Sequence, residues 1–261
     1  MNRRGFALLA VLWVITALTV LTGVAIGVAR TGWQTSHNRV LLARAGWARE
    51  ACVEILLARY AAIPAVRQVD TVDLGRGTWC RAALEDPAAK LNVNVADPEA
   101  LRKLLSAIGG QPPAVESILT ARSRAPISDL AQVPGMDSVL AHKWAPFLSA
   151  RGAGVVNVNA APLEVLTTLP GMSYEALQVI LSRRETRPLQ DADELVAVLS
   201  KPSRATLLAA YPEFVQSTVF QPTLFEAVGE GGVHGTRLRS RVTLTLLPAP
   251  GRLAVIRRET E

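Results

Sequence analysis

The chain has 261 residues, 49% of them apolar, which is enough for one or two domains with a real hydrophobic core. The formal net charge of +6 would fit nucleic-acid binding, but 97–212 carry 11 basic and 11 acidic side chains. The excess lies in the first 60 residues and in the C-terminal strands, so a basic nucleic-acid surface in the middle of the chain is excluded.

The N-terminus joins a basic start to a long apolar run. Arg3 and Arg4 precede Gly5, and the 24 residues from Phe6 to Ala29 carry no charge. A helix of that length would measure about 36 Å, enough to cross a hydrocarbon core of about 30 Å.

Three interpretations fit this segment. A secretory signal would be cut near the small residues 27–29, but the run exceeds the usual length of a signal. A plain signal-anchor would stay whole. In a prepilin-like leader a peptidase cuts after Gly5 and the apolar run remains, and this interpretation is preferred. Under the last two, the arginines hold the N-terminus in the cytoplasm, so the chain after residue 29 lies outside the inner membrane.

The helix is predicted to continue beyond the apolar run, because no proline occurs before Pro64. Apolar residues recur there at steps of four and three, which predicts one buried helix face: Leu41, Ala45, Ala48, Cys52 and Ile55. Arg49, Glu50 and Glu54 are expected elsewhere on the helix surface.

The rest of the chain reads as strands on both sides of a helical block that begins at Asp97 and ends near Tyr211. Strands are predicted at 67–72, 77–84, 90–95, 213–220, 236–247 and 252–259. The glycine-rich segment 226–236 is predicted to be a mobile loop.

The helical block contains an internal repeat. "LNVNVADPEALRKLL" (91–105) matches "VNVNAAPLEVLTTL" (156–169), and "PGM" occurs at 134–136 and again at 170–172. Asp97 is expected to cap the first helix, and Asn159 to close an Asx turn before its counterpart.

These hairpins resemble the helix-hairpin-helix modules of competence-type DNA receptors, in which a Pro-Gly-X-Gly turn offers backbone N–H groups to a phosphate. Here Asp137 and Ser173 stand at the fourth position, and the block has no net positive charge. The preferred interpretation is a packing scaffold. A membrane-anchored DNA-binding protein is the alternative, and an anchored envelope enzyme is third.

The chain combines the leader, the long helix, the strands and an insert with "KLNVN" and "VNVNAAPLEVL". This combination resembles the GspK family, the large minor pseudopilins of type II secretion. The resemblance implies an α+β fold, in which a pilin-like N-terminal helix packs on an antiparallel sheet and carries an inserted all-α domain of helix-hairpin-helix or SAM-like repeats. The implied parts are a leader (1–5), a membrane segment (6–29), the pilin-like domain (30–96 and 213–261) and the insert (97–212).

The resemblance also implies a function. Prepilin peptidase would cut between Gly5 and Phe6, and the new amine of Phe6 would be methylated. With I-type and J-type minor pseudopilins the chain would form a complex that starts and caps a periplasmic pseudopilus.

Ala10 supports a place at the tip. Most pilins carry glutamate at this fifth position after the cut, where it is proposed to pair with the N-terminus of a neighbouring subunit. A carboxylate in lipid is costly unless it is paired, so a subunit without that acid fits a position with nothing stacked above it.

The remaining candidate sites are few. Outside the cytoplasm Cys52 and Cys80 can form a disulfide between the first helix and a strand, and two buried free thiols are the alternative. Some relatives bind calcium, but no twelve-residue calcium loop is present, so no metal ligand or cofactor is assigned. The acidic stretch 190–195 is interpreted as a helix cap. Four tryptophans are interpreted as packing residues, in the pairs Trp33 with Trp47 and Trp79 with Trp144. No catalytic motif occurs, so no enzyme activity is expected.

Overall fold

A computed structural model describes residues 3–63, 68–236, 239–249 and 252–260, with side chains from residue 11 onward. Its first element is one uninterrupted helix, α1 (Arg3–Ala62). Three threonines in its apolar half donate their hydroxyls to carbonyls four residues back, which satisfies them inside the helix: Thr16, Thr19 and Thr22. The predicted single long helix is confirmed.

A five-stranded antiparallel sheet packs against the C-terminal half of α1, in the spatial order β1-β2-β7-β8-β9. Its strands are β1 (Gln68–Gly75), β2 (Thr78–Glu85), β7 (Phe225–Val233), β8 (Arg239–Ala249) and β9 (Arg252–Thr260). The neighbours β2 and β7 are separated in sequence by the helical insert. The predicted α+β arrangement, a pilin-like helix on an antiparallel sheet with an inserted helical region, is confirmed.

The insert has its own hydrophobic core, separate from the core between α1 and the sheet. Its helices are α2 (Pro98–Ala107), α3 (Pro112–Arg124), α4 (Ser138–Trp144), α5 (Leu163–Leu166), α6 (Tyr174–Thr186), α7 (Ala192–Val198), α8 (Lys201–Ala209) and α9 (Tyr211–Ser217). Two short parallel strand pairs join it: β3 (Leu91–Asn92) with β4 (Leu148–Ser149), and β5 (Val156–Asn157) with β6 (Thr218–Val219).

The predicted mobile loop at 226–236 is wrong for most of its length, because 226–233 belong to β7, the central strand of the sheet. The glycines that resemble a loop signal are needed there for close packing. A Cβ at Gly231 would lie 2.1 Å from the carbonyl oxygen of Ala45, and one at Gly229 would lie 2.4 Å from a methyl of Val53. The strand therefore passes directly under the helix backbone.

Two other predicted strands are corrected. Most of 213–220 lies in α9, where Phe214 is fully buried in the insert core, and only Thr218–Val219 form a strand. A short apolar run of this kind fits a buried helix as well as a strand. The predicted strand at 90–95 ends at Asn92, because the side chain of Asn92 accepts the backbone N–H of Asn94 and turns the chain.

Candidate assembly surfaces and processing site

The helix face predicted from the sequence packs on the sheet. Leu41, Ala45, Ala48 and Cys52 are buried, while Ile55 is half-buried. Small side chains at 45 and 48 bring the helix close to the sheet, opposite the glycines of β7.

Arg49 does not lie on the outer surface, as the sequence led us to expect, but is 7% exposed between α1 and β8. Its guanidinium donates to the Ser240 hydroxyl at 2.8 Å and forms an ion pair with Glu50 at 2.6 Å. Glu50 also pairs with Arg258 of β9. The buried charge is therefore compensated, and the network fixes α1 to the C-terminal strands. No spacing rule in the sequence marks Arg49, because its partners on β8, the Ser240 hydroxyl and the Arg241 carbonyl, lie about 190 residues away.

Cys52 and Cys80 form a disulfide in the structure, with Cα atoms 5.9 Å apart. Both side chains are fully buried between α1 and β2. The cross-link joins the helix to the strand beside β7, where Cys80 is opposite Gly231.

The predicted processing residues, Gly5 and Phe6, and the position of Ala10 lie in the first turns of α1. The described side chains begin at residue 11, so the cleavage, the methylation and the role of Ala10 stay predictions. In the described part of the chain, one helix is long and apolar enough to cross a membrane, and its most apolar window is not buried.

The Asn-X-Asn repeats form matching polar networks in the insert. The first asparagine of each repeat, Asn92 or Asn157, accepts the backbone N–H two residues on. The Asx turn expected from Asn159 is thus made by Asn157.

The second asparagine of each repeat ties three chain segments together. Asn94 bonds the carbonyls of Ile127 and Ala150 and accepts the N–H of Ile127. Asn159 makes the equivalent bonds to Leu189 and Phe220. The repeat is therefore a structural device that closes each half of the insert around a half-buried amide.

Each of the two "PGM" hairpins precedes a helix, α4 or α6. Neither hairpin offers an accessible set of backbone N–H groups to a phosphate. Asp137 caps α4 by accepting the N–H of Leu140 at 2.7 Å, which places a carboxylate at the first hairpin. At the second, a Cβ on Gly171 would lie 3.0 Å from the Cα of Leu207, so α8 covers that turn. Helix N-termini bind phosphate through accessible N–H groups and suitable charge, and neither hairpin supplies both.

Charged side chains connect the insert to the sheet. Arg151 pairs with Glu226 of β7 and Glu259 of β9, and Asn157 donates to Asp86 at 2.6 Å. Burial raises the pKa of the Glu226 carboxyl, and the nearby Arg151 opposes that effect. The junction is polar and partly buried.

The acidic stretch 190–195 acts as a helix start, as predicted. Asp191 accepts the N–H of Glu194 and so caps α7. Glu194 accepts the backbone N–H of Gln190 and pairs with Arg183, and both interactions lower its pKa. Among the described residues, no group of three His, Cys, Asp or Glu side chains could hold a metal ion.

Two tryptophans predicted to pack inside the protein lie on its surface instead. Trp33 is 67% exposed and Trp47 is 78% exposed, both on α1. The packing prediction is therefore wrong for these two residues, whereas Trp144 is buried and Trp79 is half-buried.

Comparisons with known proteins give two findings. Residues 156–212, the second repeat of the insert, match the family described as type II secretion system (T2SS), protein K. The structure is similar to a chain in the crystal structure of the GspK–GspI–GspJ complex from enterotoxigenic Escherichia coli, with a TM-score of 0.56 and 15% identity over 89% of this chain and 99% of that one. No curated protein sequence matches the chain.

The fold defines a pilin-like protein that carries a large helical insert between two neighbouring strands of its sheet. The sequence match to type II secretion system protein K lies inside that insert, at residues 156–212.

Proposed function

We propose that this chain is the minor pseudopilin at the tip of a type II secretion pseudopilus. It starts and caps a filament that pushes folded proteins through the outer membrane. Prepilin peptidase removes 1–5 by cutting between Gly5 and Phe6, and the amine of Phe6 is methylated. The segment 6–29 anchors the chain in the inner membrane with its N-terminus in the cytoplasm, until the subunit is extracted into the pseudopilus.

The observation that carries the proposal is the position of the insert. Tyr60, in the last turn of α1, contacts Phe225 at the start of β7, and the insert enters and leaves the sheet at this end. From Ala29 to this end the helix extends about 50 Å. The insert, predicted from the sequence at 97–212 and bounded in the structure by β3 and β6, thus lies at the end of α1 away from the membrane segment. A further subunit would have to stack at this end.

Ala10 supports the same position, because a subunit that caps a filament has no N-terminus above it to pair with an acid. We class the hairpins of the insert as helix-hairpin-helix or SAM-like. The repeats that contain them serve as the scaffold of the insert, whose size obstructs stacking of a further subunit. No cofactor or small-molecule substrate is part of the proposal.

The I-type and J-type minor pseudopilins are the proposed partners, as they are in the complex named for the Escherichia coli relative. The test is co-expression of the full chain with its own I-type and J-type subunits, extraction in mild detergent, and capture through a tag on this chain. We expect all three subunits in one complex. Capture of this chain without either partner would contradict the proposal.

The competence-type alternative makes a different prediction. A DNA-binding protein would retard a DNA duplex at low salt, with an affinity that falls steeply as salt rises. The caps and packing at both hairpins lead us to expect no retardation by the detergent-solubilised chain.

A further inference from the structure

The first half of the insert contains a cavity of about 320 Å³. It lies between the α2–α3 connection, at Gly110, and helix α4, which contributes Leu140 and Trp144. Ala114 of α3 and Met136 of the first hairpin also line it. The volume is at the lower end of the range for small-ligand sites in proteins. We call this space the indole cavity, after Trp144.

Trp144 brings a buried hydrogen-bond donor to the indole cavity. Its side chain is 1% exposed, and its indole Nε1 has no hydrogen-bond partner. In the described part of the chain, no other fully buried side-chain nitrogen or oxygen lacks a partner. A buried indole N–H normally finds an acceptor, because an unsatisfied donor destabilises the fold. The unpaired N–H therefore indicates that the cavity receives a group with an acceptor.

The second half of the insert shows that packing alone does not require a tryptophan here. Trp144 lies seven residues after Asp137, the N-cap of α4, and Leu207 lies seven residues after Ser200, the N-cap of α8. Both side chains are buried in the core of the insert. Leucine fills its position without a polar atom, so the donor at 144 serves something other than packing.

The second half also shows which chemical groups occupy the matching space. A Cβ on Gly171, before α6, would lie 3.0 Å from the Cα of Leu207 and 3.2 Å from the carbonyl oxygen of Thr206. A Cβ on Gly110, before the matching helix α3, would instead lie 3.1 Å from the indole ring of Trp144. Aliphatic carbon and a peptide carbonyl thus fill the second site, whereas the first has the indole ring with the cavity beside it.

The walls of the indole cavity select an uncharged occupant. The structure describes the whole insert, and no Asp, Glu, Lys, Arg or His side chain lines this cavity. Its polar side chains are those of Gln111, Ser117 and Trp144. A charged group would lose its hydration there without gaining a counter-ion, which is costly.

We propose that the indole cavity binds one aliphatic residue of an extended peptide segment of another protein. The side chain enters the cavity, and the main-chain carbonyl accepts the indole N–H of Trp144. The matching site holds the same two groups, and the uncharged walls disfavour Asp, Glu, Lys or Arg at this residue. A helix, about 10 Å across, is too wide for the volume. The inference goes beyond the proposed function, because a place at the filament tip requires no peptide site in the insert.

The first test labels the indole nitrogens of the full chain with ¹⁵N in detergent micelles; the chain has five tryptophans. The Trp144 signal is the one missing from Trp144→Phe. The probe is acetyl-Ala-Leu-Ala-amide, and acetyl-Ala-Asp-Ala-amide is the matched control. We expect the leucine peptide to shift the Trp144 signal saturably, with an affinity at least about tenfold above the control.

Trp13, in the apolar segment, reports any partitioning of the peptide into the micelle. A shift shared by Trp13 and Trp144, or equal affinities of the two peptides, would overturn the proposal. So would an unmoved Trp144 signal, which is the result expected if a trapped water is the acceptor.

The second test fills the indole cavity. Ala114→Leu adds an aliphatic side chain to its wall without changing the helix backbone of α3. The matched control is Ala205→Leu, an exposed position on α8 that does not line the cavity. We expect the first change to weaken the leucine peptide at least about tenfold and the second to leave its affinity unchanged. An unchanged affinity in Ala114→Leu would refute the cavity as the binding site.

The third test removes the donor and keeps an aromatic ring, by Trp144→Phe. Binding is followed by the ¹³C signal of the Met136 methyl, which lines the cavity, with Met172 of the second hairpin as the internal control. We expect about tenfold weaker binding of the leucine peptide, because the carbonyl loses its partner. Equal affinity would overturn the role of the indole. All three tests use this chain alone, so their failure would leave the proposed function standing.

Discussion

The contact between α1 and β7 makes a graded prediction about three glycines. In Gly231→Ala the new Cβ would lie 2.1 Å from the carbonyl oxygen of Ala45 and 2.6 Å from the backbone nitrogen of Arg49. Both neighbours are helix backbone, which no rotamer change can move aside. The helix and the strand would have to separate by about 1 Å, and overpacking of this kind costs about 3 kcal/mol of unfolding free energy.

Gly229→Ala should cost less, because its Cβ meets the side chain of Val53 at 2.4 Å, and that side chain can shift in part. Gly46→Ala is the matched control, since a Cβ there meets no other atom within 4 Å. Inside a helix this change should stabilise by about 0.5–1 kcal/mol.

The assay is urea unfolding of the full chain in detergent micelles, followed by near-ultraviolet circular dichroism of the tryptophans. From most to least stable, we expect the order Gly46→Ala, wild type, Gly229→Ala and Gly231→Ala. A Gly231→Ala chain as stable as the wild type would refute the packing of α1 directly on β7.

Three further predictions concern the polar network, the cross-link and the junction. Asn94→Ala and Asn159→Ala should each lower the unfolding free energy by about 2 kcal/mol, because each leaves partly buried backbone groups without hydrogen-bond partners. Urea midpoints test this, and two unchanged midpoints would remove the structural role of the repeat. Replacing Cys52 and Cys80 by alanine should lower the unfolding free energy by about 3–4 kcal/mol, for the loop that this disulfide closes. Thiol labelling of the unreduced, denatured wild type should be negligible, and full labelling would mean that both thiols are free. Burial raises the pKa of Glu226, so folding favours its protonated form, and wild-type stability should rise as pH falls from neutral towards the ordinary carboxyl value of 4.5. Glu226→Gln should be more stable than the wild type at pH 7 and should lack this gain at lower pH. Thermal unfolding between pH 5 and 8 tests this, because the slope of stability against pH should differ between the two chains.

The sequence predicted the features that depend on local patterns. The single long helix follows from an unbroken apolar run and the absence of proline before Pro64, and the insert follows from its internal repeat. Asp97 caps α2 as expected, since a cap uses only neighbouring residues. The asparagines were visible as a repeat, but their partners 30 to 60 residues away were not.

The errors come from tertiary contacts that override local preference. Glycines at 229 and 231 signal a loop in isolation, yet they form the central strand because the helix backbone lies against them. Arg49 is charged, yet it is buried because Glu50 pairs with its guanidinium and the Ser240 hydroxyl accepts a hydrogen bond from it. Trp33 and Trp47 resemble core residues in sequence, yet both side chains are exposed on α1.

The central claim, that this chain is a processed pseudopilin, is tested most directly by mass spectrometry of its mature N-terminus after co-expression with prepilin peptidase. We expect a chain that begins at Phe6 with a methylated amine. A mature chain that begins at Met1 or at Arg30 would contradict it.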